Sequence, residues 1–201
     1  YMERKIIEAL KRWKASPKRM PLLLGGARQV GKTYTALTFG KQYYKNTAYF
    51  NMEDSSEIIS IFERDLDPAR IVSELSVKLG EAIYPDDTLI IFDEIQACER
   101  ALTSLKYFCE KAPQYHIIAA GSLLGVALKR EKYSFPVGKV DMMTLYPLDF
   151  EEFLWATGHE KLCAMIRDSF SGFTPLSLHD TALDLYKTYL VVGGMPKAVS
   201  E

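Results

Sequence analysis

Pro21-Leu22-Leu23-Leu24-Gly25-Gly26-Ala27-Arg28-Gln29-Val30-Gly31-Lys32-Thr33 is the stretch whose reading decides the fold. Pro21 to Leu24 is a short apolar run that reads as a strand buried on both faces. Gly26 to Thr33 then satisfies G-x-x-x-x-G-K-[ST], the phosphate-binding loop, or P-loop. Glycines let the backbone pass close to a polyphosphate, and successive N–H groups turned inward form an anion nest. A helix opening near Gly31 aims the positive end of its dipole at the same phosphates. Lys32 then places its ammonium on the β- and γ-phosphates, and the Thr33 hydroxyl ligates Mg²⁺. Gly26, Ala27, Arg28, Gln29, Val30, Gly31, Lys32, Thr33 and Tyr34 are the expected nucleotide-binding residues. Tyr34 to Phe39 continues as the helix, with its end expected near Gly40.

Binding phosphate is not hydrolysing it. Hydrolysis also needs a metal anchor and a group that orients or deprotonates water. Leu89-Ile90-Ile91-Phe92-Asp93-Glu94 offers both. An apolar strand ending in Asp93 sets a carboxylate at the carboxyl edge of a sheet, where it holds Mg²⁺ through water. Glu94 follows as the candidate general base. Taken alone, the same two acids would equally suit the N-terminus of the next helix. Thr47-Ala48-Tyr49-Phe50-Asn51 reads as a strand intervening between the P-loop strand and the Asp-Glu strand. That insertion, with the Asp-Glu pair, is expected of the ATPase branch that uses a catalytic glutamate. Guanine readers carry [NT]-K-x-D, and the nearest approach is Gly138-Lys139-Val140-Asp141, so adenine is the expected base.

Working outward, residues 3–14 place Ile6, Leu10 and Trp13 on one face of an amphipathic helix, so residues 1–20 form a helical segment packed on the core. Residues 53–87 hold two helices, the second opening at Asp67-Pro68 as N-cap and first helical proline. Thr88–Phe92 and Tyr115–Ala120 are buried strands, and Leu102, Leu105, Cys109 and Ala112 mark the helix between them. Leu123–Glu131 has helical character, and a last strand lies within Val137–Tyr146. Alternating strands and helices predict a three-layer α/β fold over 21–147 with a central, mostly parallel sheet. From 148 onward only helices are expected, as a small C-terminal lid. There Asp149 and Glu152 form a capping box, Leu183, Tyr186 and Leu190 share one helix face, and Gly193-Gly194 ends a helix before Pro196.

The 201 residues are 48% apolar and 25% charged, with a net charge of −1, which suits one globular α/β domain with an appendage. The charge is uneven. Residues 1–47 carry eleven Lys and Arg against Glu3 and Glu8, a local +9, which leaves −10 for the rest. Solvated surface lysines, or a basic patch for a phosphate-rich partner, both fit that surplus. Cys98, Cys109 and Cys163 have no metal-ligand spacing and read as reduced thiols. His116, His159 and His179 are scattered and read as structural or surface residues. No signal-peptide pattern and no bilayer-length apolar run is present, so a cytoplasmic, non-membrane protein is expected.

Four segments in order carry a resemblance: Gly25–Thr33, Ile91-Phe92-Asp93-Glu94-Ile95-Gln96, Ala120-Gly121-Ser122, and Tyr146–Phe153. With Val192-Gly193-Gly194-Met195-Pro196, they make the chain similar to prokaryotic AAA+-like P-loop ATPases near the signal-transduction ATPases, typed by RQVGKT and DEIQ. The resemblance implies a longer native protein with a further C-terminal domain. It implies a polar γ-phosphate sensor at Ser122, which as a residue after Gly121 equally suits a helix N-cap. Relatives carry Gly-Arg where this chain has Gly138-Lys139, and Lys lacks the bidentate fork of Arg. The finger candidates are therefore Lys139, Arg130 and Arg28, each of which also suits a surface charge.

The expectation is an Mg²⁺-dependent ATPase acting as a nucleotide-driven conformational switch. Lys32 and Glu94 are its catalytic residues, and Thr33 and Asp93 its metal residues. ATP and ADP are its ligands. Self-association or a C-terminal domain of the same chain are its expected partners. A nucleotide-holding scaffold with little turnover and a nucleic-acid-associated ATPase are the rival readings, and a small-molecule phosphotransferase is a third.

Overall fold

The computed structural model of the chain describes residues 3–54, 56–122 and 136–200. Its contacts divide the chain into two units, Ile7–Leu145 and Tyr1–Ile6 with Tyr146–Glu201. The larger unit holds a five-stranded sheet in the order β2-β3-β4-β1-β5. The strands are β1 (Leu22–Gly25), β2 (Asn46–Asn51), β3 (Thr88–Asp93), β4 (His116–Ala120) and β5 (Asp141–Thr144), and every pairing is parallel. The strand interposed in space between β1 and β3 is β4, not the expected 47–51 segment, which forms the edge as β2. Chain order does not determine sheet order when parallel strands are joined by crossovers.

Among the described residues, the helices of this unit are α1 (Ile6–Ala15, from Ile7 onward), α2 (Lys32–Tyr43), α3 (Ser56–Arg64), α4 (Pro68–Leu79) and α5 (Glu99–Lys111). One sheet face, with Phe50, Ile90, Phe92, Ile117 and Ala119, packs against Ile58, Phe62, Ile71, Leu75, Leu102 and Leu105. Each Ile, Leu or Phe among them contributes roughly 1.5–3 kcal/mol when buried. α2 covers the other face across β2, β3 and β4. It runs past Gly40 to Tyr43, which corrects the expected end. A Cβ on Gly40 would lie 2.4 Å from Thr47 Oγ1. Gly40 thus lets the helix approach the sheet and does not stop it. α1 buries Ile7, Leu10 and Trp13, so Ile7 takes the place expected of Ile6. Asp67 caps α4 by accepting from the Arg70 N–H, with Pro68 in the first turn, as its chemistry predicts. Cys98 and Cys163 are buried and Cys109 half-buried, all as free thiols.

The smaller unit is helical: α6 (Phe150–Ala156), α7 (Glu160–Gly172), α8 (His179–Val192) and α9 (Pro196–Ser200). Its start is the expected capping box: Asp149 accepts from the Glu152 N–H, and Glu152 accepts from the Asp149 N–H. The same Glu152 carboxylate accepts from Arg4 Nε at 3.1 Å and from the Lys5 N–H at 2.9 Å, so Arg4 is a buried structural cation. The Leu148 N–H donates to the Gly194 carbonyl at 2.7 Å, and a Cβ on Gly194 would meet the Leu148 oxygen at 2.2 Å. On α8, Ala182, Leu185 and Tyr189 pack inward. Leu183 and Leu190 are exposed, which corrects the expected face by about one residue. Tyr186 stays over 40% exposed but sets its ring edge-on to Phe150. The helical character of 123–131 lies outside the described residues. Among the described residues, no helix is long and apolar enough to cross a membrane.

At the start of β4, buried His116 is bracketed by Tyr44 at Nδ1 (2.7 Å) and Asp86 at Nε2 (3.1 Å). One neutral tautomer serves both: Nε2–H donates to the carboxylate, and Nδ1 accepts from the phenol. Burial lowers the His116 pKa, the Arg19 guanidinium lowers it further, and the Asp86 hydrogen bond opposes them. The unfolded chain therefore takes up this proton first as pH falls through about 6.5. The stability from neutral His116 is complete above that pH and declines as pH drops toward the depressed folded value. Thermal melts should show this acid limb. His116→Gln, which keeps an acceptor for Tyr44, should melt lower at pH 7.5 and lack the limb; an identical slope in both proteins would refute the assignment.

Gly26, directly after β1, has φ 141°, and a Cβ there would lie 2.3 Å from the Leu145 carbonyl oxygen. That backbone atom cannot rotate away. Gly26→Ala is expected to lose at least about 2 kcal/mol in urea unfolding, from strain and clash together. A midpoint unchanged from the parent protein would contradict the crowding.

Candidate functional site

Because all strands are parallel, their carboxyl ends share one edge, the place where open α/β sheets bind ligands. β1 delivers the P-loop there, β3 delivers Asp93 and Glu94, and β4 delivers Gly121 and Ser122, with the Gly121 N–H donating to the Leu24 carbonyl at 3.2 Å. Within the loop, Gly26, Gln29 and Gly31 all have positive φ. Such turns direct backbone N–H groups to one side. Gly31 caps α2 without a side chain, so no capping hydroxyl or carboxylate competes for the first N–H groups of the helix. Ala27, Arg28, Gln29 and Tyr34 are exposed, whereas Val30 is fully buried beneath them.

Lys32 is buried, and its Nζ donates to the Gly26 oxygen at 2.9 Å and the Ala27 oxygen at 2.6 Å. Burial lowers its pKa, while the Glu94 and Asp93 carboxylates pull it back up. The ammonium therefore sits inside the loop facing both acids. Asp93, only 4% exposed, is the centre of the site. Its Oδ2 accepts from Thr33 Oγ1 at 2.7 Å and from the Tyr49 hydroxyl at 2.8 Å, and its Oδ1 accepts from the Glu94 N–H at 3.0 Å. Burial of its phenol and its bond to Asp93 raise the Tyr49 pKa, so Tyr49 is the donor.

Thr33 and Asp93 bring two hard oxygen donors together, the chemistry that Mg²⁺ selects. Among the described residues, no group of three or more His, Cys, Asp or Glu could cage a metal. The chain thus offers Mg²⁺ a two-point site of the kind completed by phosphate and water. The residues fit an Mg²⁺–nucleotide group.

Glu94 adopts a left-handed conformation, φ 49° and ψ 46°, and opens a 3₁₀ turn over Ile95–Ala97. Its Oε2 accepts from Gln96 Nε2 at 2.5 Å. Neither Tyr49 nor Gln96 was singled out as a site residue by sequence reasoning. Strand alternation supplies a signal for Tyr49, since Thr47, Tyr49 and Asn51 share the face of β2 that Asp93 shares on β3.

Ser122 lies at the shared edge, one residue past Gly121. Lys139 does not. It precedes β5, whose first residue pairs with Leu22 at the start of β1, and its Nζ lies 3.4 Å from Glu110 on α5. It sits at the opposite end of the strands, out of reach of a phosphate in its own P-loop. Arg130 lies outside the described residues. The basic surplus of residues 1–47 is largely engaged within the chain: Lys5 with Asp149 and Glu151, Lys11 with Glu8, Lys14 with the Tyr43 carbonyl, Arg19 with Pro113, and Lys45 with Asp87.

A family profile described as "AAA domain" matches residues 18–154. No curated protein matches the sequence significantly. Among solved structures, the chain is similar to one from Drosophila ORC bound to DNA, at TM-score 0.52 and 16% identity over 92% of this chain and 53% of that one. It is also similar to the Aeropyrum pernix ORC2 protein in ADPNP and ADP complexes, at TM-score 0.49 and 15% identity over 80% of this chain and 52% of that one. The chain thus spans about half the length of these solved chains. The Drosophila match supports the fold alone: an α/β P-loop NTPase architecture of the AAA+ type. With a profile running through the P-loop, Asp93 and Glu94 and covering more than half of the sequence, the chain belongs to the AAA domain family of P-loop ATPases.

Proposed function

We propose that this domain binds ATP with Mg²⁺ and hydrolyses it, as a nucleotide-driven switch in the cytoplasm of a prokaryote. The observation that carries the reading is the 2.7 Å bond between Thr33 Oγ1 and Asp93 Oδ2, which joins the P-loop helix to the Asp-Glu strand. Mg²⁺ held by Thr33, and through water by Asp93, would neutralise charge on the phosphate oxygens. Lys32 exchanges the Gly26 and Ala27 carbonyls for phosphate oxygens and carries the charge that develops on the γ-phosphoryl group. Glu94 takes a proton from water as its oxygen bonds to the γ-phosphorus and the bond to the β-phosphate oxygen breaks. Ser122 at the end of β4 is the proposed sensor, and Arg28, exposed within the loop, the proposed finger. The helical unit 146–201, a second copy or a further domain of the same chain is the proposed recipient of the nucleotide state. Engagement of so many residue 1–47 cations within the chain gives nucleic-acid binding no specific support.

Glu94→Gln should bind ATP as the parent does and turn it over at least about 100-fold more slowly. Equal turnover would sink the mechanism. Tyr49→Phe removes one of the two hydroxyl donors to Asp93 Oδ2. It should raise the Mg²⁺ concentration for half-maximal turnover by roughly threefold to tenfold, the loss of about one hydrogen bond. Binding of a fluorescent nucleotide in EDTA should not change. If that metal-free affinity fell instead, Tyr49 would be a nucleotide contact and not a support for Asp93.

A further inference from the structure

Gln96 is the residue whose position the ATPase reading has not used. The left-handed backbone at Glu94 turns the chain sharply after β3, and the Ala97 N–H closes the turn onto the Glu94 carbonyl at 2.9 Å. This brings the Gln96 side chain back onto Glu94, where Nε2 donates to Oε2. The other end of the same amide is buried: Gln96 Oε1 has no hydrogen-bond partner among the described residues. A flipped amide would set that oxygen against the Glu94 carboxylate, so the present orientation is the one the charges favour. A buried acceptor without a donor is unfavourable and calls for a donor in the working state.

We infer that Gln96 belongs to the hydrolytic apparatus: its amide N–H fixes the Glu94 carboxylate, and its carbonyl accepts one O–H of the water that Glu94 deprotonates. The inference rests on the ATPase reading above. Two acceptors, one charged and one neutral, hold the two hydrogens of a single water. The hydrogen facing Glu94 leaves as the oxygen attacks phosphorus, while the hydrogen facing Gln96 stays with the oxygen and enters inorganic phosphate. Nothing else is consumed. A glutamine suits the position because it is donor on one side and acceptor on the other, which neither a carboxylate nor an apolar residue of that length provides.

The test is Gln96→Met, which keeps length and removes both functions, in the parent protein and combined with Glu94→Gln. Affinity for a non-hydrolysable ATP analogue should stay within about twofold and KM should hold, while kcat falls roughly 30-fold to 100-fold. In the Glu94→Gln background the same change should cost less than about twofold, because the two residues act on one water. A Gln96→Met protein with parental kcat, or losses that multiply, would overturn the inference. Unchanged analogue affinity and melting temperature show that the variant is folded. Should it unfold, Gln96→Glu keeps size and acceptor but faces Glu94 with a second carboxylate, and must be slow by the same argument. A parent protein without turnover, or a Glu94→Gln protein at full rate, removes the ATPase reading and this inference together. An inactive Glu94→Gln beside an active Gln96→Met removes this inference alone.

Discussion

The site hangs on one buried carboxylate. Asp93 has lost nearly all its water, and an ion so placed must find donors or shift its ionisation. Three come to it, from three places: Thr33 in the first turn of α2, Tyr49 on β2, and the N–H of the next residue on its own chain. Register makes this feasible. Asn51 pairs with Asp93 and Tyr49 with Ile91, so the phenol reaches diagonally along one sheet face. A slip of one residue would turn Tyr49 into the packed face occupied by Phe50 and leave Asp93 one donor short. The apolar packing of Ala48 and Phe50 on the far side of β2 therefore holds the polar geometry on the near side.

Backbone of positive φ also recurs at this edge. Gly26, Gln29, Gly31 and Glu94 all have positive φ, and two of the four carry side chains. A left-handed residue other than glycine costs on the order of 1–3 kcal/mol and persists only when its surroundings impose it. At Gln29 the surroundings are the buried Val30 and the tight loop; at Glu94 they are the bond to Asp93 Oδ1 and the turn that follows. What the strain achieves is directional: loop N–H groups gather on one side, and the chain turns out of the strand at Glu94.

How much of this was legible in sequence depends on the range of the interaction. The P-loop, Asp67-Pro68 and the Asp149–Glu152 capping box could be read because each is a contract among residues within eight positions. β3 could be read because a strand buried on both faces is apolar throughout. The interposition of β4 between β1 and β3 could not, since helical crossovers leave sheet order open. Nor could the Arg4–Glu152 pair, whose partners are 148 residues apart. Gly40 read as a helix stop because glycine usually is one, whereas here it serves close packing. Tyr49 and Gln96 escaped because a strand tyrosine and a turn glutamine have ordinary structural uses, and only the position of Asp93 and Glu94 gives them others.

Charge distribution leads to a further constraint. The local +9 of residues 1–47 is partly offset in space, because Arg4, Lys5, Arg19 and Lys45 meet acids from later in the chain. The positive charge that matters is Lys32, which is buried and faces both Asp93 and Glu94. Among these described residues the balance is one cation against two carboxylates. The helix dipole adds roughly half a charge and the nest N–H groups add partial charges, yet a nucleoside triphosphate with one Mg²⁺ still brings more negative charge than they offset. On the proposed reading, the developing charge on the γ-phosphoryl group therefore requires one more cation than Lys32. Lys139 is placed at the wrong end of β5 to supply it. Arg28, the proposed finger, is exposed on the loop, so in an isolated copy water screens its charge. An isolated copy should for this reason hold nucleotide more readily than it hydrolyses it, because electrostatic stabilisation is strong only where the stabilising charge is desolvated along with the reacting group.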